Sequence, residues 1–193
     1  MQTSRLLSLP AEMRNNIFFH VLGGYDIQLI PVDQCRNPKV VLDIRHADAV
    51  STPATDTFHT CLNLTLVCRQ IYTETAMLPF THNTFVFSHP ESCEKRLAQM
   101  MLPAQHNAIT VVKCPVKCLF FEYKYGSIAT RHCVPTFRHL EGLKRLVLVI
   151  GSRALSEEEK ECAVVKIREA NDKEGVEIVW TEEAGIDELR DAL

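Results

Sequence analysis

Apolar side chains near the start of the chain recur three and four residues apart, which predicts a helix that reaches about Leu22. Ser8 is expected to cap this helix and Pro10 to lie in its first turn, because proline lacks a backbone donor that would be unsatisfied there anyway. Gly23 and Gly24 are expected to end it. The periodicity assigns five residues to one buried face: Met13, Ile17, Phe18, Val21 and Leu22.

A hairpin and a second helix are predicted to follow. Residues 25–32 and 39–44 are β-branched stretches on either side of a segment that contains Asn-Pro, which is the pattern of two strands joined by a turn. The polar residues 51–57 lack periodicity and predict a surface loop. A helix is then predicted over residues 60–77, with five residues on its inner side: Leu64, Val67, Cys68, Ile71 and Tyr72.

The second half of the chain alternates short helices and strands. Strands are predicted over residues 83–88, 109–113, 119–125, 145–150 and 176–180, and helices over residues 92–102, 136–140 and 182–193. Ser156 and Glu159 form a capping box for a further helix, whose apolar face would hold Cys162, Val165 and Ile167. The pattern predicts an α+β or α/β fold, in which N-terminal helices with an inserted hairpin pack on a small mixed sheet with helices on one side.

Composition limits the classes of function. With 193 residues and 46% apolar side chains, the chain is expected to form one compact domain with two regions, residues 1–90 and 91–193. A formal charge of −3 gives no global positive field, so nucleic acid is not expected to be a partner, although basic and aromatic residues mix between residues 113 and 145. No apolar run could span a bilayer and the N-terminus does not resemble a signal peptide, so we expect an intracellular protein, cytoplasmic or nuclear.

Catalytic motifs are absent from the sequence. It contains no Gly-rich phosphate loop and no nucleophile in a family signature, so it predicts neither an enzyme nor a cofactor. The best metal candidates are four residues with thiolate or imidazole side chains: Cys114, Cys118, His132 and Cys133. Such ligands can form a tetrahedral zinc site, but their spacing departs from the common zinc motifs. Ordinary reduced thiols are the alternative interpretation.

Three segments carry a resemblance to a known family. They are residues 7–17 (LSLPAEMRNNI), 64–74 (LTLVCRQIYTE) and 83–87 (NTFVF). In this order they resemble the fungal F-box-like proteins, in which Leu-Pro-x-Glu opens the first helix and Val-Cys-Arg-Gln-Ile-Tyr lies on a later one. The region from residue 25 to 59 then looks like an insertion between the two pieces of the F-box. Residues 140–148 resemble the second half of the same family.

The resemblance implies a protein-interaction module, a substrate receptor or adaptor of a cullin-based ubiquitin ligase that docks on a Skp-type adaptor. Its docking residues would be apolar side chains of the first two segments: Leu9, Pro10, Ile17, Leu64, Val67 and Tyr72. Such helical faces insert into a groove of the partner. Two alternatives stay open, because the same residues could pack the two helices together, or the chain could be a structural subunit of another complex. Arg69 and Glu74 are expected to be ion-pair partners, either buried or on the helix surface.

Overall fold

A computed structural model of the protein describes residues 4–31, 40–46, 62–87, 101–115, 136–150 and 155–182. The helices in these ranges are α1 (Ala11–Leu22), a 3₁₀ helix (Asn63–Leu66), α2 (Arg69–Thr75), α3 (Leu78–Thr81), α4 (Pro103–Ala108) and α5 (Glu157–Asn171). The strands are β1 (Tyr25–Pro31), β2 (Val40–His46), β3 (Thr84–Val86), β4 (Val111–Pro115), β5 (Arg145–Ile150) and β6 (Glu177–Glu182). They form a mixed six-stranded sheet in the order β2-β1-β3-β4-β5-β6, so the fold is α+β as predicted.

The chain divides into two compact units, unit 1 (Met1–Thr84) and unit 2 (Phe85–Leu193). In unit 1 the predicted hairpin is confirmed, because β1 and β2 pair antiparallel with Tyr25 opposite His46 and Pro31 opposite Val40. Alternate residues of β1 are buried, as expected for a strand with one inward face: Tyr25 and Ile27. No helix within the described ranges is both long enough and apolar enough to cross a membrane.

Helix α1 has the predicted extent but a different buried face. Arg14, Phe18 and Leu22 are buried at intervals of four residues, whereas Met13 and Ile17 are 52% and 40% exposed. The predicted burial of Met13 and Ile17 is therefore wrong, because the buried stripe includes a charged residue that a pattern of apolar positions cannot assign to the core. The predicted cap is also wrong, since Pro10 occupies the N-cap position and the Ser8 hydroxyl donates to the Arg5 carbonyl at 2.7 Å.

The continuous helix predicted over residues 60–77 is broken in the structure. The 3₁₀ helix ends before Cys68, which has extended backbone angles, and α2 begins after it. Within the 3₁₀ helix the Thr65 hydroxyl donates to the Leu62 carbonyl at 2.7 Å. The break changes the helical register, and of the predicted inner side Ile71 is buried while Val67 and Tyr72 are 65% and 53% exposed.

The buried amide of Asn83 joins three elements of unit 1. Its Nδ2 donates to the Leu22 carbonyl at 2.7 Å and to the Pro79 carbonyl at 2.9 Å, and its Oδ1 accepts from the Tyr25 backbone N–H at 2.9 Å. The end of α1, the helix α3 and the start of β1 are thus held by one side chain. Gly24, with φ of +80°, provides the left-handed turn between α1 and β1.

Unit 2 contains a parallel β-α-β arrangement. Both β4 with β5 and β5 with β6 pair in parallel, and α5 connects β5 to β6. The predicted capping box is confirmed, because the Ser156 hydroxyl accepts from the Glu159 N–H at 3.2 Å and the Glu159 carboxylate accepts from the Ser156 N–H at 2.9 Å. The strand predicted over residues 145–150 has the bounds of β5.

Other predictions for unit 2 need correction. Helix α5 buries Ala163, Ile167 and Asn171, whereas Cys162 and Val165 are exposed, so only Ile167 of its predicted face is right. Residues 136–140 form turns and not a helix, and α4 was not predicted. Several predictions fall outside the described residues: the loop at 51–57, most of the helix at 92–102, the strand at 119–125 and nearly all of the helix at 182–193.

Candidate docking surface

A bidentate ion pair connects the two sequence segments that resemble an F-box. The Nε of Arg14 donates to Oε2 of Glu74 at 2.9 Å, and its Nη2 donates to Oε1 at 2.6 Å. Arg14 lies in the first segment and Glu74 ends the second, so residues 60 positions apart meet in space. Glu74 was expected to pair with Arg69, but its partner is Arg14 and Arg69 is exposed.

The same guanidinium also holds the chain just before α1. Its Nη1 donates to the Leu9 carbonyl at 2.5 Å, which fixes the Leu-Pro corner against the first turn of the helix. On the other side of the pair, Gln70 Nε2 donates to Oε1 of Glu74 at 3.2 Å. Arginine suits this position because its planar group presents several donors in a fixed geometry.

Hydrogen bonding keeps both members of the pair ionised. The bonds from Arg14 lower the pKa of Glu74 below its ordinary value of 4.5, and they outweigh burial, which acts in the opposite direction. The pKa of Arg14 is raised for the same reason, by its bonds to Glu74. The pair is therefore charged at neutral pH and acts as a fixed connection between α1 and α2.

The six candidate docking residues differ in exposure. Leu9 and Leu64 are half-buried, and the other four are exposed: Pro10, Ile17, Val67 and Tyr72. Four further apolar residues of unit 1 are exposed and were not predicted to be docking residues: Met13, Phe19, Leu66 and Met77. Met13 was missed because it has the spacing of core residues. Leu66 ends the 3₁₀ helix, just before the break at Cys68.

The helix positions separate these residues into two patches. Pro10, Met13 and Ile17 are three and four residues apart on one side of α1, beside Arg14, and we call them the α1 patch. Leu66, the last residue of the 3₁₀ helix, and Val67, which follows it before α2, form the turn patch. Tyr72 belongs to neither patch. Successive residues of an α-helix are about 100° apart, so Tyr72 lies about 200° around α2 from Glu74 and away from the ion pair with Arg14.

Phe19 lies on a different side of α1 from the α1 patch. Its ring makes edge-to-face contacts with two imidazoles, those of His20 at 5.6 Å and His82 at 4.9 Å between ring centroids. Phe19 is exposed, but it already has aromatic neighbours within unit 1 and is therefore not part of the docking surface.

The metal candidates are only partly within the described residues. Cys114 is buried in β4, while Cys118, His132 and Cys133 lie outside the described ranges. Among the residues that the structure describes, no group of three or more His, Cys, Asp or Glu side chains could hold a metal ion. The zinc site stays a prediction from sequence.

Two polar side chains that line a small cavity in unit 2 already form hydrogen bonds with the backbone. The cavity lies among residues of α5, β5 and β6, and Lys173 and Asn171 are among its lining residues. Lys173 Nζ donates to the Leu140 carbonyl, and burial lowers the pKa of this lysine. Asn171 donates to the Ile167 carbonyl at 2.8 Å and accepts from the Phe137 N–H. These bonds to the backbone make the cavity part of the packing of unit 2.

Comparison with known proteins gives one match. A family model described as a domain of unknown function (DUF7730) matches residues 1–180 of the chain. No curated protein and no solved structure matches it.

Proposed function

The chain belongs to the DUF7730 family, and we propose that it is a protein-interaction module whose unit 1 docks on a Skp-type adaptor of a cullin-based ubiquitin ligase. The motifs of residues 7–17 and 64–74 support this role through their resemblance to F-box-like proteins. As a substrate receptor of such a ligase, the protein would work inside the cell, in the cytoplasm or the nucleus.

One observation carries the proposal. In the two motif segments the charged side chains of Arg14 and Glu74 are directed into the molecule, while Ile17 and Val67 are directed outward. Segments that served only to pack two helices together would be expected to bury Ile17 and Val67 as they bury Ile71. Exposed apolar side chains on a rigid framework are what a partner with a hydrophobic groove requires.

The ion pair adds rigidity to this surface. Arg14 fixes the Leu9 carbonyl and α2 at the same time, so the α1 patch begins from a corner of defined shape. A surface that is already ordered loses less conformational entropy when it binds, and more of the contact energy appears as affinity. Arg14 and Glu74 would thus support docking without contacting the partner.

The direct test is binding of the purified full chain to a purified Skp-type adaptor, measured by isothermal titration calorimetry. We expect Ile17→Asp and Val67→Asp each to weaken binding at least about tenfold, because each would bury an unpaired carboxylate in the interface. Val165→Asp is the matched control, since Val165 is a 53% exposed valine on α5 in unit 2. It should bind like the unchanged chain.

The outcomes are distinct. If the folded, unchanged chain does not bind the adaptor, the ligase role is rejected. If it binds but Val67→Asp and Val165→Asp behave alike, the docking surface is misplaced. Thermal unfolding of each variant shows whether lost binding is only lost folding, and all three substitutions are at exposed positions.

A second candidate is a structural subunit of another intracellular complex. The break at Cys68 favours it, because the second motif segment forms a 3₁₀ helix and a short α-helix in place of the continuous helix expected from the F-box resemblance. The same exposed patches would then contact a different protein. Purification of the tagged chain from its native cells, with the Val67→Asp and Val165→Asp variants in parallel, separates the two candidates by whether the adaptor is recovered.

A further inference from the structure

The outer edge of β6 exposes backbone groups that could pair with another strand. Among the described strands, β6 is last in the sheet order and pairs only with β5. The N–H of Glu177 donates to the Lys144 carbonyl at 2.9 Å, so the backbone of residue 177, and by alternation that of 179 and 181, points towards β5. The groups that point away belong to Ile178, Trp180 and Glu182, and no described backbone group pairs with them.

The middle of this edge lacks several of the features by which proteins usually prevent strand addition. Natural edge strands carry charged side chains, especially lysine, or proline or a bulge, or they are very short. In β6 the charged residues lie only at the two ends. The six residues of β6 contain neither proline nor lysine, and they pair with β5 in continuous register. The four central residues are half-buried, so a bound strand would cover apolar as well as polar surface: Ile178, Val179, Trp180 and Thr181.

Charge indicates which strand would fit. Both ends of β6 are acidic, with Glu177 at the start and Glu182 at the end. Glu177 already forms an ion pair, in which its Oε2 lies 2.7 Å from Nε of Arg145. Glu182 has no ion-pair partner within the described ranges. The first turn of α5 adds Glu157, Glu158 and Glu159 near the same end, because a helix that joins two parallel strands begins where the first strand ends.

A second copy of the chain fits this edge poorly. Only residues 178, 180 and 182 present backbone groups to an added strand, so two β6 strands paired antiparallel about Trp180 would place Glu182 of each copy opposite Ile178 of the other. A second copy would therefore bring no cation to Glu182. Opposite charges on adjacent strands are favourable, so a strand with a basic residue at this position fits better.

We propose that the outer edge of β6 binds an extended polypeptide as an additional strand, and that the bound segment has alternating apolar residues and a basic residue opposite Glu182. Backbone hydrogen bonds to Ile178, Trp180 and Glu182 would supply affinity, and the charge at position 182 would supply selectivity. The proposal concerns unit 2 and does not depend on docking of unit 1 to an adaptor.

The probe is a capped peptide, Lys-Thr-Val-Thr-Val-Lys, whose basic residue at each end suits either strand direction. Its matched control, Glu-Thr-Val-Thr-Val-Glu, has the same length and apolar content. Binding to the full chain can be followed by the fluorescence of Trp180, which is the only tryptophan of the sequence and lies in the middle of β6. We expect the lysine peptide to bind about threefold or more tighter than the glutamate peptide.

Charge reversal tests the position. In Glu182→Lys the preference should reverse, so that the glutamate peptide binds more tightly. Glu169→Lys, an exposed charge reversal on α5, is the control and should keep the original preference. Equal effects of the two variants, or no binding of either peptide to the unchanged chain, would overturn the proposal.

Backbone pairing is tested with two peptides that carry N-methyl groups on alternate residues. Only one set of alternate N–H groups can point towards β6, so one methylated peptide should bind like its parent and the other should lose binding. Equal binding of the two would overturn strand addition. A dimer of the unchanged chain that Glu182→Lys alters and Glu169→Lys does not, seen by analytical ultracentrifugation, would identify a second copy as the occupant and reject the proposal too.

Discussion

The two motif segments of unit 1 are joined through polar side chains, whereas three strands of unit 2 are joined through the backbone of a parallel sheet. In unit 1, Arg14 reaches Glu74 across 60 positions and Asn83 collects three backbone groups. In unit 2, β5 lies between two parallel partners and its residues Leu146, Leu148 and Val149 are buried. Unit 1 therefore depends on a few polar residues, and it keeps several apolar ones at its surface.

The largest effect is expected at Asn83. Asn83→Ala would leave the Leu22 and Pro79 carbonyls and the Tyr25 N–H without their partner in a buried environment. We expect the free energy of unfolding to fall by about 3 kcal/mol or more, since each unsatisfied buried group costs about 1–3 kcal/mol. Urea denaturation followed by circular dichroism measures this change.

A matched asparagine in unit 2 provides the control. Asn107 is exposed and donates to the Glu141 carboxylate at 3.0 Å. Asn107→Ala should change the free energy of unfolding by about 0.5 kcal/mol or less, as surface substitutions usually do. If the two variants lost similar stability, the buried amide would not be the connection on which unit 1 depends.

Gly142 tests whether unit 2 depends equally on close backbone packing. A Cβ at this position would collide with the Asn107 carbonyl oxygen, so the backbone would have to move. We expect Gly142→Ala to lower the free energy of unfolding by about 1–3 kcal/mol, the usual cost of overpacking. Denaturation followed by Trp180 fluorescence reports on unit 2 directly.

Gly175→Ala is the control that distinguishes a steric clash from the loss of glycine's backbone freedom. Gly175 has φ of +85° with open space where a Cβ would be, so Gly175→Ala has only a conformational cost, about 1 kcal/mol. A Gly142→Ala variant no less stable than the unchanged chain would show that residues 107 and 142 are not in tight contact.

The sequence predicted several helices and strands of both units, because their pattern of apolar and polar residues matches the residues that are buried. The strand β5 and the capping box of α5 are local features, in which apolar alternation and two residues three positions apart contain the necessary information. The antiparallel hairpin was predicted for the same reason, since β-branched stretches flank a turn segment.

The predictions failed where a long-range polar contact decides the orientation of a helix. Arg14 turns the buried stripe of α1 so that Met13 and Ile17 are exposed, and its partner Glu74 is too far away in the chain for any periodic pattern to identify. The break at Cys68, which has extended backbone angles, likewise could not be identified from a periodic pattern of apolar positions. The candidate docking residues could be named from a resemblance, but their exposure could not.

Acid should weaken unit 1 through the ion pair. Because the folded pKa of Glu74 is below its ordinary value of 4.5, the carboxylate contributes stability above that value, and the contribution is lost as the pH falls through the lowered pKa. We expect amides of α1 and α2 to exchange with solvent faster as the pH falls from 5 towards 3, after correction for intrinsic rates. Glu74→Gln should be less stable at neutral pH and should lose this part of the pH dependence.

Unit 2 is the internal control for this measurement. In Glu74→Gln, the exchange of amides in β5 and α5 should follow the unchanged chain at each pH, because the ion pair lies within unit 1. Equal loss of the pH dependence in both units would mean that Glu74 acts on the whole molecule and not on unit 1.

The smallest effect concerns two serines that both precede helices. Ser156 caps α5 through its hydroxyl, whereas the Ser8 hydroxyl donates to the Arg5 carbonyl and leaves α1 without a side-chain cap. We expect Ser156→Ala to lower the free energy of unfolding by about 1 kcal/mol, the usual cost of removing an N-cap. Ser8→Ala should change it by less than about 0.5 kcal/mol. A larger loss for Ser8→Ala in urea denaturation would show that Ser8 does cap α1, and that the start of this helix depends on the serine and not on the hold of Arg14 on Leu9.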